Sequence, residues 1–347
     1  MQEKGHSSFT IQNKFVISQD KTISKMKRVT IVVPCYNEEA SLPLLYKSLC
    51  DVMASHPSYD WEVLMIDDGS TDGTLGQLRQ LHQADSRVAY VSLSRNFGKE
   101  NAMMAGFDHA SGDCLVMMDA DMQHPPTVIP EMLACWEQGW DDVYARRKSR
   151  GRESWLRKRL SLLFYKLLQR SSRFDVLPNV GDFRLLDRKC IDALRQLRES
   201  ERYTKGMFAW IGFRKKEILF DQQDRQQGQS SWRFGSLLKL AIDGITSFTT
   251  APLRISTIVG LVISLVAFIY MIFVLFKTLI VGEEVQGYPT LILVILFLGG
   301  IQLLSLGIIG EYLGRIFNET KRRPIYLVAE QAVGAQGNEV DKETKHE

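Results

Sequence analysis

Two aspartates separated by a single residue, Asp119 and Asp121, are the most informative chemical feature of this sequence. They directly follow the apolar run 114–118, which begins after the turn pair Ser111-Gly112 and is typical of a buried strand. Carboxylates at the carboxyl end of a strand lie where open α/β sheets bind their ligands. They suit hard divalent cations, and Mg²⁺ or Mn²⁺ held in this way takes further ligands from a substrate diphosphate. The alternative is that both aspartates only polarise a loop or cap the next helix.

Polar, turn-forming residues also follow the other predicted strands. Together with the aspartate pair, these strand ends are residues 34–39, 67–70, 94–99 and 119–126. One such end means little, because Asp-Gly-Ser is a common turn and Asn-Glu a common helix start. Four of them predict a cleft in which acidic, amide and basic groups face one ligand. The sequence has no Walker motif and no Gly-x-Gly-x-x-Gly after a strand, which disfavours a P-loop NTPase or a dinucleotide oxidoreductase.

The scaffold for these residues is predicted from an alternation of strand-like and helix-like segments. Apolar runs predict strands at 29–33, 62–66, 88–93 and 114–118. Periodic segments predict helices at 41–53, 74–82 and 99–110. This alternation predicts an α/β fold with a mostly parallel, doubly wound sheet.

Two uncharged segments near the C-terminus, 255–276 and 290–310, reach the roughly 20 residues that a membrane helix needs. The loop between them carries two glutamates and no lysine or arginine, whereas arginines and lysines flank the pair. The positive-inside rule then predicts two transmembrane helices, at about 255–277 and 289–311, with both termini and the catalytic domain in the cytoplasm. Residues 232–250 predict an amphipathic helix in the membrane interface, with an ordinary core helix as the alternative.

Composition sets the remaining bounds. The chain has 347 residues and a net charge of +3, which does not suggest nucleic acid as a partner. Its five scattered cysteines fit neither a disulfide framework nor a zinc site and favour a reducing cytosolic compartment.

The predicted domains are a polar N-terminal tail (1–27), a cytosolic catalytic domain (28–228), a juxtamembrane amphipathic segment (229–252), a transmembrane domain (253–315) and a basic, then polar C-terminal tail (316–347).

The strand-end motifs resemble family-two glycosyltransferases of the GT-A fold. The motifs are Val-Pro-x-Tyr-Asn-Glu, Asp-Asp-Gly-Ser, Ser-Arg-Asn-Phe-Gly-Lys-Glu and Asp-Ala-Asp-x-Gln-x-Pro-Pro. Residues 181–185, 243–248 and 310–315 resemble the polyprenyl-phosphate branch of that family. Within the branch the sequence is most similar to bactoprenol glucosyltransferases and more distantly to dolichol-phosphate mannose synthases. The resemblance extends over about residues 29–327 and includes both predicted spans.

This resemblance implies an enzyme that transfers a hexose from a nucleotide sugar, expected to be UDP-glucose, to undecaprenyl phosphate. The implied nucleotide-sugar ligands are Pro34, Tyr36, Asn37, Glu38, Asp67, Asp68, Asp119, Ala120, Arg147 and Arg225. The implied ligands of the divalent cation, Mg²⁺ or Mn²⁺, are Asp121 and Gln123, with Asp119 beside them. The implied acceptor-phosphate ligands are Arg147, Arg150, Arg225, Ser231 and Arg233.

Two positions, Ser231 and His124, depart from the pattern of these families, and Asp182 has an open role. Ser231 occupies the place of a lysine in the mannose synthases, and Arg233 is the candidate to replace that charge. His124 stands where bactoprenol enzymes often carry aspartate and is interpreted as a tolerated loop change. Asp182 is the third predicted catalytic residue, beside Asp119 and Asp121. It would orient the acceptor or a sugar hydroxyl, and a purely structural role for it is left open.

The expected mechanism follows from the acceptor. A phosphate monoester has its second pKa near 6, so at neutral pH it is mostly a dianion that needs no general base. The site has to supply positive charge and stabilise the departing nucleoside diphosphate. Attack opposite the leaving group inverts the anomeric centre. The lipid-linked sugar would then serve cell-surface glycan modification, for example of O-antigen, at the inner membrane.

Two other functions are weighed against this one. A processive polysaccharide synthase shares the fold, but such enzymes have a Gln-x-x-Arg-Trp motif and more spans, both missing from this sequence. An inactive membrane scaffold with this fold would have lost Asp121 or Gln123, and both are present. Association into a homo-oligomer is left open.

Overall fold

In the computed structural model, residues 26–148, 180–200, 202–220, 251–281 and 287–333 are described. The strands are β1 (Arg28–Cys35), β2 (Asp60–Asp67), β3 (Val88–Leu93), β4 (Cys114–Met117), β5 (Asp142–Arg147), β6 (Val180–Asp187), β7 (Lys215–Phe220) and β8 (Val328–Ala332). The α-helices are α1 (Leu42–Ser55), α2 (Thr74–Ala84), α3 (Lys99–His109), α4 (Ile129–Glu137), α5 (Arg188–Gln196), α6 (Thr204–Trp210), α7 (Ala251–Val281) and α8 (Tyr288–Thr320). A short 3₁₀ helix, Pro126–Val128, precedes α4.

The described strands form one sheet in the order β7-β5-β6-β4-β1-β2-β3-β8. Strands β3, β2, β1 and β4 are parallel neighbours, as the alternation of strands and helices predicts. β6 runs antiparallel between β4 and β5, and β8 runs antiparallel along β3. The prediction of an α/β fold with a mostly parallel sheet is therefore confirmed, with antiparallel strands added outside its central part.

Both faces of the central strands are covered, which explains why these strands are largely apolar and do not alternate regularly with polar residues. Side chains of β1 alternate between two cores. Ile31 and Val33 pack in the core that contains α1 and α4, whereas Val32 packs in the core that contains α3 and α5. The sheet is thus held rigidly from two sides, and its carboxyl edge offers a fixed platform for a site.

The C-terminal segment corrects one prediction. Residues 316–347 are predicted to be a tail, but Val328–Ala332 forms the edge strand β8. Glu330 on this strand accepts hydrogen bonds from Arg79 and from the Tyr90 hydroxyl, the latter at 2.5 Å. The sequence gives little indication of this strand because its residues are short, mixed and partly polar, and only β3 shows where they pair.

The two predicted transmembrane segments are both helical. Their bounds are 251–281 and 288–320, longer than predicted, and the Ser256 hydroxyl donates to the Ser305 hydroxyl across the pair at 2.9 Å. Among the described residues one helical stretch, Phe297–Thr320, is long and apolar enough to cross a bilayer, and Ser256–Tyr270 is a shorter apolar stretch. One candidate span is therefore present, and the prediction of two spans stays a prediction. The predicted interface helix, 232–250, lies outside the described residues.

Candidate active site

The loops after β1 and β2 are joined by hydrogen bonds at the carboxyl edge of the sheet. The backbone N–H of Asn37 donates to the Ser70 hydroxyl at 3.0 Å, and Asn37 Oδ1 accepts the N–H of Thr71 at 2.9 Å. The N–H of Glu38 donates to the Thr74 hydroxyl at 2.9 Å. Asn37 adopts a left-handed conformation (φ 55°), which asparagine tolerates better than most residues. Its side chain therefore shapes the cleft wall.

Asp67 is the last residue of β2 and Asp68 follows it, and both are buried. Asp67 accepts a hydrogen bond from the Ser92 hydroxyl of β3 at 2.7 Å. Asp68 accepts the N–H groups of Phe97 and Gly98, at 2.7 and 2.9 Å, and so holds the loop that enters α3. Burial raises the pKa of Asp68 although these N–H groups act in the opposite direction. Both predicted nucleotide ligands thus have structural partners inside the protein.

The other residues predicted to hold the base and ribose lie at the end of β1. Pro34 is partly buried and continues the ladder with β2. Tyr36 is 45% exposed, so its ring is available for stacking on a base. Glu38 is partly buried and accepts the Ser41 hydroxyl at the start of α1.

The turn after β4 brings together three predicted site residues. Asp121 Oδ1 accepts the N–H of Gln123 at 3.1 Å, and Gln123 Oε1 accepts a hydrogen bond from Arg147 at 3.4 Å. Met122 between them adopts φ 61°, and Ala120 is buried beneath the turn. A methionine in the left-handed region is uncommon and marks a backbone conformation that its surroundings impose.

This turn fits a divalent cation by its donor chemistry. Asp121 and Gln123 offer a carboxylate and an amide oxygen, which are hard ligands suited to Mg²⁺ or Mn²⁺. Among the described residues no three His, Cys, Asp or Glu side chains are grouped as metal ligands. A cation bound here would take its remaining ligands from a substrate or water, as Mg²⁺ usually does.

Lys99, the first residue of α3, connects two of the predicted catalytic aspartates. Its Nζ lies 2.6 Å from Asp119 Oδ1 and 2.8 Å from Asp182 Oδ2. Partial desolvation inside the cleft opposes the charge on the ammonium, but the two carboxylates outweigh this effect and raise the pKa of Lys99. Burial likewise raises the pKa of Asp182, yet Lys99 and Lys205 outweigh it and lower that pKa from 3.8 to about 2. Lys99 and Asp182 are therefore charged at neutral pH.

Comparison with known proteins decides the family. The profile of Glycosyl transferase family 2 matches residues 30–195, and that of the GtrB C-terminal hairpin matches residues 251–316. An uncharacterized glycosyltransferase of Synechocystis sp. is 45% identical over 87% of this chain and 95% of its own length. The chain is a family 2 glycosyltransferase.

Two further relatives of this glycosyltransferase are informative. A putative glycosyltransferase of Bacillus subtilis is 45% identical over 88% of this chain and 92% of its own length. A prophage bactoprenol glucosyl transferase homolog of Escherichia coli is 40% identical over 87% of this chain and 98% of its own length. The resemblance to family-two enzymes, and within them to bactoprenol glucosyl transferases, is thereby confirmed.

A solved structure is similar at a lower level. Glucosyl-3-phosphoglycerate synthase from Mycobacterium tuberculosis, solved with Mn²⁺, UDP and phosphoglyceric acid, has a TM-score of 0.43 and 17% identity. The similarity covers 63% of this chain and 76% of that chain.

His124 has a structural function in the glycosyltransferase that the sequence does not reveal. Its Nδ1 accepts the backbone N–H of Asp119 at 3.1 Å, and its buried ring stacks on Phe183 with 4.9 Å between ring centroids. Burial lowers the pKa of His124, so the ring is neutral. Its 3.9 Å approach to the Asp119 carboxylate is therefore not an ion pair. The interpretation as a tolerated loop change is incomplete, because His124 holds the backbone of the turn after β4, residues 119–123, which we call the aspartate turn.

Lys99 is not among the site residues predicted from the sequence. Its signal was present, since Lys99 belongs to the motif after β3 and places a cation at a helix N-terminus, where the helix dipole disfavours it. Of the predicted acceptor-phosphate ligands, Arg147 lies at the end of β5 and is exposed. The others lie outside the described residues: Arg150, Arg225, Ser231 and Arg233.

Proposed function

We propose that this glycosyltransferase transfers glucose from UDP-glucose to undecaprenyl phosphate. The observation that carries the proposal is the oxygen-donor turn of Asp121 and Gln123 at the end of β4, beside Arg147. Relatives named bactoprenol glucosyl transferases are 40% identical to this chain over nearly their whole length, which supports a polyprenyl-phosphate acceptor and glucose as the sugar.

A membrane-bound acceptor agrees with the C-terminal hairpin. Large apolar side chains are exposed along both helices, including Leu261 and Leu265 of α7 and Leu303 and Leu304 of α8. Apolar surface of this extent marks contact with a membrane or another protein. We place the hairpin in the cytoplasmic membrane as two spans, with the catalytic domain and both termini in the cytoplasm. The product would supply glucose for modification of a cell-surface glycan such as O-antigen.

Different residues of the cleft bind the cation and the phosphate groups. Asp121 and Gln123 would hold the divalent cation, which neutralises charge on the departing UDP. Arg147 supplies a guanidinium beside Gln123, suited to a phosphate oxygen. The acceptor phosphate is largely a dianion at neutral pH and attacks without a general base. Attack from the face opposite UDP gives a β-linked product from the α-linked donor.

The direct test uses membranes that contain the chain, undecaprenyl phosphate and radiolabelled UDP-glucose, with other nucleotide sugars in parallel. We expect a labelled lipid from UDP-glucose and none after EDTA treatment. Labelled lipid from a different sugar alone would overturn the choice of glucose, and the absence of any labelled lipid would overturn the function. Transfer that resists EDTA would remove the cation from the mechanism.

Asp121→Asn tests the turn itself. The substitution removes a ligand charge and almost no volume, so we expect transfer to fall by at least about 100-fold, the usual scale for losing charge stabilisation of a transition state. The matched control is Glu131→Gln, which neutralises an exposed carboxylate on α4 and should keep activity. Equal activity of the two variants would contradict the assigned role of Asp121.

A further inference from the structure

Lys99 couples two elements that are distant in the chain. Met117 of β4 pairs with Arg184 of β6 at the end of the antiparallel ladder. Continuing that register by two residues brings Asp119 and Asp182 next to each other beyond the ladder. The Lys99 ammonium then lies within hydrogen-bonding distance of both carboxylates, at 2.6 and 2.8 Å.

Helix stability does not explain a lysine at this position. Gly98 precedes α3 as its N-cap and adopts φ 94°, and its N–H is held by Asp68. The positive end of the helix dipole disfavours a cation in the first turn. The two carboxylates therefore supply the reason for the ammonium at this site.

Asp182 depends on Lys99 in particular. Its side chain is 11% exposed, and its Oδ1 accepts no hydrogen bond from the described residues. Asp119 is 28% exposed and Lys99 45%, so these two face the cleft while Asp182 lies beneath them. Asp182 serves as the buried anchor, and Asp119 is the carboxylate that a ligand can reach.

We propose that Lys99 is a positioning residue that ties Asp119 to Asp182, so that Asp119 accepts a hydroxyl of the sugar being transferred. This inference rests on the proposed function and adds its sugar subsite. The order of the sheet supports it. The loops after β1 and β2 form one side of the cleft, and the aspartate turn follows β4. In the sheet, β6 is the neighbour of β4 on the side away from β1. A donor lying along this edge with its base toward β1 and β2 has its sugar toward β6.

Charge balance gives the second reason for the ammonium. Asp119 and Asp182 would otherwise place two negative charges side by side where β4 and β6 meet the cleft. Lys99 compensates one of them and holds both its partners in place. Without it, Asp119 and Asp182 repel each other, and the hydroxyl-accepting oxygen of Asp119 is misplaced.

The test compares Lys99→Met with Lys99→Arg and with the control Lys47→Met, which changes an exposed lysine of α1. In Lys99→Met, kcat should fall by about 100-fold, the scale on which misplaced groups lower rates.

Titration calorimetry with Mn²⁺ then compares the affinity for UDP with the affinity for UDP-glucose. The preference for UDP-glucose over UDP should fall by about tenfold, the value of one hydrogen bond to a charged group. UDP affinity itself should stay within about threefold of the unaltered chain, since the base and diphosphate contacts are intact. Lys99→Arg should recover part of kcat, and Lys47→Met should match the unaltered chain.

Retained UDP binding shows that Lys99→Met is folded. An unchanged preference for UDP-glucose over UDP would overturn the inference. An equal loss of affinity for UDP and for UDP-glucose would also overturn it, because the ammonium would then act on the diphosphate. If Lys99→Met does not bind UDP at all, Asp182→Asn decides: removal of the anchor should lower the preference for UDP-glucose, and an unchanged preference contradicts the anchor role. These binding ratios need no acceptor, so they separate this inference from a failure of transfer to undecaprenyl phosphate.

Discussion

At the scale of single residues, the aspartate turn is held by groups that do not themselves react. His124 accepts the N–H of Asp119 and stacks on Phe183, while Gln123 donates its own N–H to Asp121. Both contacts fix backbone positions next to the carboxylate oxygens of Asp119 and Asp121. Small displacements of such oxygens are costly for catalysis, so neutral neighbours can matter nearly as much as the charged residues.

Replacement of His124 tests this support. His124→Leu leaves the Asp119 N–H without its acceptor, so we expect a loss of about 1–3 kcal/mol in the free energy of unfolding, together with lower transfer. His124→Asn retains an acceptor on a shorter side chain and should lie between His124→Leu and the unaltered chain. Thermal unfolding of the solubilised protein and initial transfer rates provide the measurements. Equal melting temperatures for both variants would show that the Nδ1 contact contributes nothing.

At the scale of elements, β6 joins the active-site edge to the core. Phe183 faces His124 on one side of this strand, and Arg184 faces the other side. Arg184 pairs with the buried Asp142 of β5 at 3.0 Å, and its guanidinium lies 3.6 Å from the centre of the Phe208 ring. Burial raises the pKa of Asp142 although Arg184 acts in the opposite direction. β6 is thereby held in the register that presents Asp182 to Lys99.

The turn after β2 offers a second test among the elements. Gly69 adopts φ 68°, and a Cβ there would approach the carbonyl carbon of Arg95 to 2.4 Å. Gly69→Ala should therefore destabilise the protein by about 2 kcal/mol or more, through left-handed strain and overpacking. Gly76 in α2 is the matched control, because a Cβ there meets nothing within 4 Å. Gly76→Ala should stabilise by up to about 1 kcal/mol, the helix-propensity difference. Similar melting temperatures for the two variants would contradict this prediction.

At the scale of the whole molecule, the chain returns from the helical hairpin of α7 and α8 to the sheet of the catalytic domain. After α8 ends, the Tyr326 hydroxyl donates to Asp108 at 2.7 Å, and the carbonyl of Leu327 accepts the N–H of Ser94 at 2.8 Å. Strand β8 then lies along β3 and is joined to it by Glu330. The C-terminal segment thus connects the hairpin to β3 at the edge of the sheet. The loop after β3 leads into α3, whose first residue is Lys99.

Acidification should loosen this tie. Arg79 and, to a smaller extent, Tyr90 lower the pKa of Glu330 from 4.5 to about 2. Because the folded-state pKa is depressed, the contribution of Glu330 is complete above pH 4.5 and is lost as the pH falls from 4.5 toward 2. Hydrogen-exchange protection of residues 328–332 should therefore decline over that range in the unaltered chain. Glu330→Gln should show reduced protection already at pH 7, and equal protection in both proteins would refute the role of this side chain.

Local information in the sequence was sufficient for much of this protein. Apolar runs ending in polar turns determined the four parallel strands and the edge at which the candidate site forms. The motif after β4 determined the turn of Asp121 and Gln123, which we propose as the cation site. The uncharged C-terminal segments determined a helical hairpin. Each of these features depends on residues that are neighbours in the chain, so periodicity and motif spacing reveal them.

Other features were decided only by the tertiary structure. Lys99 and Asp182 are 83 positions apart in the numbering, and Glu330 lies far from Arg79. Their contacts exist because β6 and β8 add antiparallel strands to a sheet whose register no local pattern specifies. Asp67 and Asp68, predicted as nucleotide ligands, also accept hydrogen bonds from Ser92 of β3 and from the loop that enters α3. The residue types determined which chemistry is available, and long-range packing decided which carboxylates face the cleft and which support it.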